Sequence, residues 1–200
     1  MPTPLLSDEL LRANIAARVP LSDADFACFR QFVKPLAVPK RQFFLLEGDE
    51  CTRFGFVVRG CLRSYSIDDK GEQHTMQFAP EDWWISDPYS FLTGQPSTLN
   101  IDALEDTELW VINAPDMEKV YAAAPVFERF MRLLIQSRYI ALQERVNAAL
   151  RESATQKYDN FLRKYPTLVQ RVPQHLIASY LGVKPESLSR VRRLSRREGK

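Results

Sequence analysis

The sequence predicts an α+β chain with its strands first and most of its helices last: a body of short β-strands, one long helix, then a small all-α unit. Three observations predict it. From Val38 to Ile112, short β-branched and aromatic runs are punctuated by turn residues. From Pro125 to Leu150, apolar residues recur at helical spacing on more than one face. Beyond that, two short amphipathic segments flank Gly182 in a strongly basic stretch.

Ser7 is placed to cap a first helix, "DELLRANIAARV", and Ser22 to cap a second in "LSDADFACFRQFV", with acids in its first turn. The strand texture then begins in "RQFFLLEGDE", "TRFGFVVRGCLRSYSIDDKGEQHTMQF" and "LNIDALEDTELWVIN", broken at Gly48, Gly60 and the Asp68–Gly71 turn. Short strands at that spacing form a sandwich, a roll or a barrel. Asn113 caps a further helix with Pro115 in its first turn, where proline is tolerated. The long helix starts at Pro125. Phe127, Phe130 and Leu134 form one stripe; Ile135, Leu142 and Ala149 recur every seven residues on another. Two apolar faces need two partners, so the helix is expected to pack on the β-body and on a second copy of the chain. A polar joint around Arg151–Gln156 leads to a helix in "KYDNFLRKYPTL" and then to the two final segments.

Composition sets bounds. With 45% hydrophobic and 26% charged residues the chain is an ordinary globular one. No apolar run approaches the ~20 residues of a membrane span, and the first residues do not read as a signal peptide. Cys28, Cys51 and Cys61 lack CxxC spacing, so free thiols in a reducing cytoplasm are expected. The charge is uneven: residues 151–200 hold 12 Lys and Arg against 4 Asp and Glu, and the rest hold 15 against 21. A basic final quarter on an acidic body points to a polyanion-binding module.

That quarter has a specific pattern in "QHLIASYLGVKPESLSRVRR". Ile177, Ala178 and Leu181 make one apolar face of a first helix. Gly182 can end it at positive φ, Val183 fills the turn, and Pro185 with Glu186 opens a second helix. Leu188 and Val191 point back at the first. This is the helix-turn-helix spacing. Glu186, Ser189, Arg190 and Arg193 then share the outward stripe, at i, i+3, i+4 and i+7. Arg can fork onto guanine, Glu can accept from cytosine N4 and Ser can bond a base or a phosphate, so these four are the candidate base readers. Lys184, Arg192, Arg196 and Arg197 are candidate phosphate contacts.

With "LLEGDECTRFGFVVRGCLRSYSIDDKGEQHTMQF", "LNIDALEDTELWVI" and above all "GVKPESLSRVRRL" in view, the chain resembles the Crp/Fnr superfamily of transcription regulators over about residues 20–197. The resemblance implies an N-terminal double-stranded β-helix, a jelly-roll-like β-roll of the cyclic-nucleotide-binding type, with flanking helices over residues 1–124. It implies a dimerisation helix over 125–150 and a helix-turn-helix domain over 151–200. Glutamate, serine and arginine of the family's recognition helix read bases, matching Glu186, Ser189 and Arg190. Family members carry a β-hairpin wing after that helix; here only "SRREGK" remains, and a truncated wing is expected.

The ligand cassette departs from the family. In members that bind cyclic AMP a glutamate holds the ribose and an arginine the phosphate. Ser86 and Ser97 stand at those places, with Asp82 and Asp87 nearby. A buried phosphate without a cation is unfavourable, so no cyclic-nucleotide binding is expected. Trp83, Trp84, Ser86, Ser97 and Asn100 remain the candidate lining of an effector pocket, the effector itself unknown; of the two tryptophans one is expected in the core and the other toward the roll. His74 and His175 are too few for a metal-binding β-roll enzyme, and three scattered cysteines too few for an iron–sulfur cluster. No cofactor and no catalytic site are expected. Double-stranded DNA and a second copy are the expected partners, with RNA polymerase added if the protein activates. The alternative is a ligand-binding sensor that works through protein contacts and binds DNA only weakly.

Overall fold

The computed structural model describes residues 7–198, with side chains through Leu194. Two short helices, α1 (Glu9–Ala16) and α2 (Asp23–Arg30), come first. Ser22 caps α2 in a reciprocal capping box with Asp25. For α1 the cap is Asp8 rather than Ser7, whose Oγ instead accepts from Glu9 N at 3.2 Å.

The β-body has eight strands: β1 (Lys34–Val38), β2 (Phe43–Leu45), β3 (Arg53–Arg59), β4 (Leu62–Ile67), β5 (Gln73–Ala79), β6 (Trp84–Ile85), β7 (Asn100–Ala103) and β8 (Thr107–Asn113). They form two four-stranded sheets, ordered β1-β8-β3-β6 and β2-β7-β4-β5, an antiparallel β-roll. Alternation along the strands serves two cores at once. Val57, Ile85 and Leu109 point inward with Phe44, Leu62 and Ile101. Their neighbours Phe56, Trp84 and Trp110 point outward into a second cluster with Leu11, Ile15, Phe29 and Phe127. The β3–β4 turn needs Gly60, at φ +94°, because a Cβ there would sit 2.6 Å from the Asp106 carbonyl oxygen. Opposite residues Arg63 and Asp102 form a two-pronged ion pair at 2.8 and 3.1 Å that pins β4 to β7.

Helix α3 (Pro88–Thr93) interrupts the strands between β6 and β7; α4 (Ala114–Ala123) and α5 (Val126–Arg151) come after β8. Then come α6 (Ala154–Lys164), α7 (Leu168–Arg171), α8 (Gln174–Leu181) and α9 (Pro185–Glu198). The polar joint shrinks to Glu152 and Ser153, because Ser153 and Gln156 form a capping box that starts α6 early. Contacts divide the chain into two units. One comprises residues up to Ser66 with Phe78–Ser137; the other comprises Ile67–Gln77 with the residues from Arg138 onward. In the second unit Phe161, Tyr165 and Tyr180 form an aromatic triangle with centroids 5.2–5.8 Å apart, beside buried Leu168, Ile177 and Leu188.

Candidate functional site

In the second unit, α8 and α9 carry the expected spacing. Gly182 takes the left-handed conformation, φ +63°, and its N–H closes α8 onto Ser179 O. Val183 N reaches back to Ala178 O at 3.0 Å, completing the helix end. Ile177, Ala178, Leu188 and Val191 are buried between the two helices, while Leu181 and Val183 are half-buried. Glu186, Ser189, Arg190 and Arg193 are all exposed, as is Lys184 at the entry of α9. Arg192 differs from its expected place on the surface. It sits next to Val191 on the flank of the packed face, is half-buried, and its Nη1 is buried without a hydrogen-bond partner. The side chains of Arg196 and Arg197 lie outside the described residues.

The candidate effector residues lie in the first unit and do not converge on one cavity. Trp84 turns to the helix-side core: its Nε1 donates to Asn14 Oδ1 at 2.9 Å and its ring packs on Phe54, Phe56 and Phe130. Trp83 is half-buried on the roll side, as strand alternation requires. Asp82 is also drawn away, its Oδ1 accepting from Asn14 Nδ2 at 2.8 Å.

Ser86, Ser97 and Asn100 are buried around the α3 segment, and their polar atoms are engaged within the protein. Ser97 Oγ donates to Asp87 Oδ2 at 2.7 Å; Asp87 Oδ1 caps α3 by accepting from Tyr89 N. Asp87 is only 2% exposed, so a carboxylate is buried here beside Ser97. Ser86 Oγ lies 3.3 Å from Cys51 Sγ, and Asn100 bonds Glu47 through both its amide atoms. Ser97 N and O pair with Asp49 O and Gly48 N, lacing the α3 segment to the β2–β3 loop. A pocket of about 170 Å³ runs along Phe43–Arg53, below the ~300–1,000 Å³ of typical ligand sites. Its cation, Arg53, donates to Phe44 O and lies over the Phe44 ring.

Helix α5 separates its two apolar faces. Phe127, Phe130 and Leu134, expected among the dimer-helix residues, are buried in their own unit's core. Ile135 and Leu142 are exposed, and with Tyr139 and Val146 they alternate in steps of four and three residues, a heptad seam. The sequence pattern marks every second position of this seam and passes over Tyr139 and Val146, whose spacing was the available signal. Beside it, a groove of about 450 Å³ is lined by Glu118, Tyr121, Glu128, Met131, Arg132, Ile135 and Gln136. Burial, with Glu118 and Glu128 adding to it, pushes the Tyr121 phenol up to about 12.

At the β4–β5 turn, Asp68 Oδ2 meets His74 Nε2 at 2.9 Å and Oδ1 accepts from the Lys70 and Glu72 amides. Those bonds, His74 first, hold the Asp68 carboxyl below its usual range. The three thiols are free, Cys51 and Cys61 buried and Cys28 half-buried. Among the described residues no helix is long and apolar enough to cross a membrane.

Residues 35–124, from β1 through α4, match the family model of the cyclic nucleotide-binding domain. A curated relative, protein CNGC15b of Medicago truncatula, is 28% identical over 122 residues, 54% of this chain; the chain spans 19% of that relative's length. Among solved structures, FixK2 from Bradyrhizobium japonicum aligns at a TM-score of 0.73 and 18% identity over 84% of this chain and 86% of that one. A protein from Eubacterium rectale assigned to the Crp/Fnr family of transcriptional regulators aligns at 0.68 and 20% identity, over 90% and 85%. The c-di-GMP-responsive global regulator CLP of Xanthomonas campestris aligns at 0.71 and 13% identity, over 89% and 93%. At these identities the likeness to solved structures establishes the fold.

Proposed function

The chain carries a cyclic nucleotide-binding domain in the fold of the Crp/Fnr transcription regulators, and from that premise we propose that it is a homodimeric, sequence-specific DNA-binding regulator whose sensor domain does not take cyclic nucleotides. One observation carries the reading: α9 exposes Glu186, Ser189, Arg190 and Arg193 on the stripe opposite its buried Leu188 and Val191. Side chains on one outward stripe of a second motif helix are those that reach base edges in the major groove. Arg190 and Arg193 would read guanines, Glu186 would accept from cytosine and Ser189 would bond a base or a phosphate; Lys184, Arg196 and Arg197 would hold phosphates.

The α5 seam supports a dimer, because Ile135, Tyr139, Leu142 and Val146, in heptad register, are left 42–65% exposed in one copy. Two reading helices would then meet half-sites about 34 Å apart along a pseudo-palindrome. The buried Asp87–Ser97 pair supports a sensor closed to cyclic phosphates. The reading places the protein in the reducing cytoplasm, without catalysis.

Selection from a random double-stranded DNA library tests it. A recovered palindrome is the expected result. Salt-labile, sequence-blind retention would refute it and favour a sensor acting through protein contacts.

A further inference from the structure

Strand β5 lies at the end of its sheet, so among the described residues one of its backbone edges meets no neighbouring strand. An open edge is a liability that folds cover with a helix or a side chain. Here the cover comes from α8, the first helix of the motif. Ser179 Oγ accepts from Thr75 N at 2.9 Å and donates to Gln73 O at 2.8 Å, meeting two alternate residues of the strand as a neighbouring strand would. A second clasp stands beside it. The Arg145 guanidinium on α5 donates to Met76 O, touches Met76 Sδ and lies 5.6 Å from the centroid of the Tyr180 ring on α8. Both clasps fall within one compact unit, which contains Ile67–Gln77, the distal half of α5 and the whole motif.

These contacts have a consequence for DNA reading. Only Glu152 and Ser153 separate α5 from α6, and a two-residue joint with rotatable backbone does not by itself fix the direction of α6 and the helices beyond it. The clasps join α8 to the strand segment to which Arg145 joins α5. We propose that Ser179 is a positioning residue: by closing the edge of β5 it fixes the helix-turn-helix against the distal half of α5 and so sets the spacing of the two half-sites a dimer can read. Ser179 itself lies on α8, whereas the reading stripe lies on α9. The inference rests on the DNA-binding reading above.

The test compares wild type, Ser179→Ala, Ser179→Thr and Arg145→Gln on three DNAs: the selected palindrome, the palindrome lengthened by one base pair at its centre, and a single half-site. Amide exchange at Thr75 in the DNA-free protein is measured in parallel. Ser179→Ala is expected to leave half-site affinity unchanged and weaken the palindrome by roughly ten- to a hundredfold, part of the 10²–10⁴ that simultaneous engagement can supply. It should also flatten the preference for native spacing and accelerate Thr75 exchange. Ser179→Thr should restore both, and Arg145→Gln should reproduce the loss in part. Equal losses on half-site and palindrome, or an unchanged spacing preference, would overturn the proposal. Thr75 exchange indifferent to Ser179→Ala would overturn the clasp alone, whereas a wild type with no preference for the palindrome would refute DNA reading and the positioning role with it.

Discussion

Replacing Leu142 by alanine tests the division of α5 into an inner and an outer face. Leu142 is 49% exposed in one copy, so about half of its burial remains to be gained. Full burial of a leucine side chain is worth about 1.5–3 kcal/mol, which leaves roughly 0.7–1.5 kcal/mol per subunit. Two-fold symmetry presents the residue twice, giving about 1.5–3 kcal/mol across the interface. At 1.4 kcal/mol per decade the dimer should dissociate about 10- to 150-fold more readily. Alanine is as good a helix former as leucine, so α5 itself should persist. Sedimentation equilibrium reads the association and thermal melting reads the fold. Phe130→Ala is the opposite case: Phe130 is buried in its own core, and its truncation should cost about 3–5 kcal/mol of stability. Unchanged association in Leu142→Ala would refute the seam, as would a Phe130 variant that dissociates while melting normally.

Calorimetry with cyclic AMP and cyclic GMP should show no binding, because Asp87 and Ser97 bond each other where a phosphate would need a cation; micromolar affinity for either would refute the closed-sensor reading. Arg190→Ala should cost about 1–3 kcal/mol on the preferred site and relax specificity at one base pair, measured by binding to single-substitution operators. Equal loss on every sequence would move Arg190 to the phosphate class. Tyr121 gives a pH prediction. Its phenol ionises near 12 in the fold and near 10 in an unfolded chain, so the folded state keeps the proton longer. Its contribution is therefore intact below pH 10 and is lost as the pH rises from about 10 to about 12. Tyr121→Phe should flatten that stretch of the alkaline unfolding curve, and an unchanged curve would refute the assignment.

The sequence and the structure meet best where a single rule decides the geometry. Gly182 is read correctly because a left-handed helix end has few other solutions, and Leu188 and Val191 because packing at 3.6-residue period leaves them only one side. Tyr139 and Val146 escaped because a stripe of period seven is visible from every second seam position alone, while Tyr139 is neither plainly apolar nor plainly polar. Helix α3 escaped for a local reason. Six residues are too few for a period, and its only marks are Asp87 and Pro88 at the start and Gly94 at the end. Its position off the outward stripe makes Arg192 a candidate phosphate contact, whereas its neighbour Val191 holds that flank of α9 against the packed face. The pairing of Ser179 with β5 joins residues more than a hundred positions apart, and no local pattern encodes it.

The α3 segment is held together entirely by groups of the protein itself. Its helix is capped by Asp87 Oδ1 on Tyr89 N and ended by Gly94 at positive φ, neither of which involves a ligand. The other oxygen of Asp87 takes the Ser97 hydroxyl, and the Ser97 backbone ties the segment to Gly48 and Asp49. A buried carboxylate with one hydroxyl and one amide is satisfied as it stands; an incoming phosphate would bring a second negative charge and no new donor. A cation introduced at position 97 alone would therefore pair with Asp87 rather than stay free for a ligand. Ser97→Arg combined with Asp87→Ala removes that competitor, at the cost of the α3 cap, typically about 1 kcal/mol. Comparison of the two variants by calorimetry separates the effects: cyclic-nucleotide binding by the double variant and none by Ser97→Arg is the expected pattern. Equal binding by both would show that the carboxylate is not what closes the site.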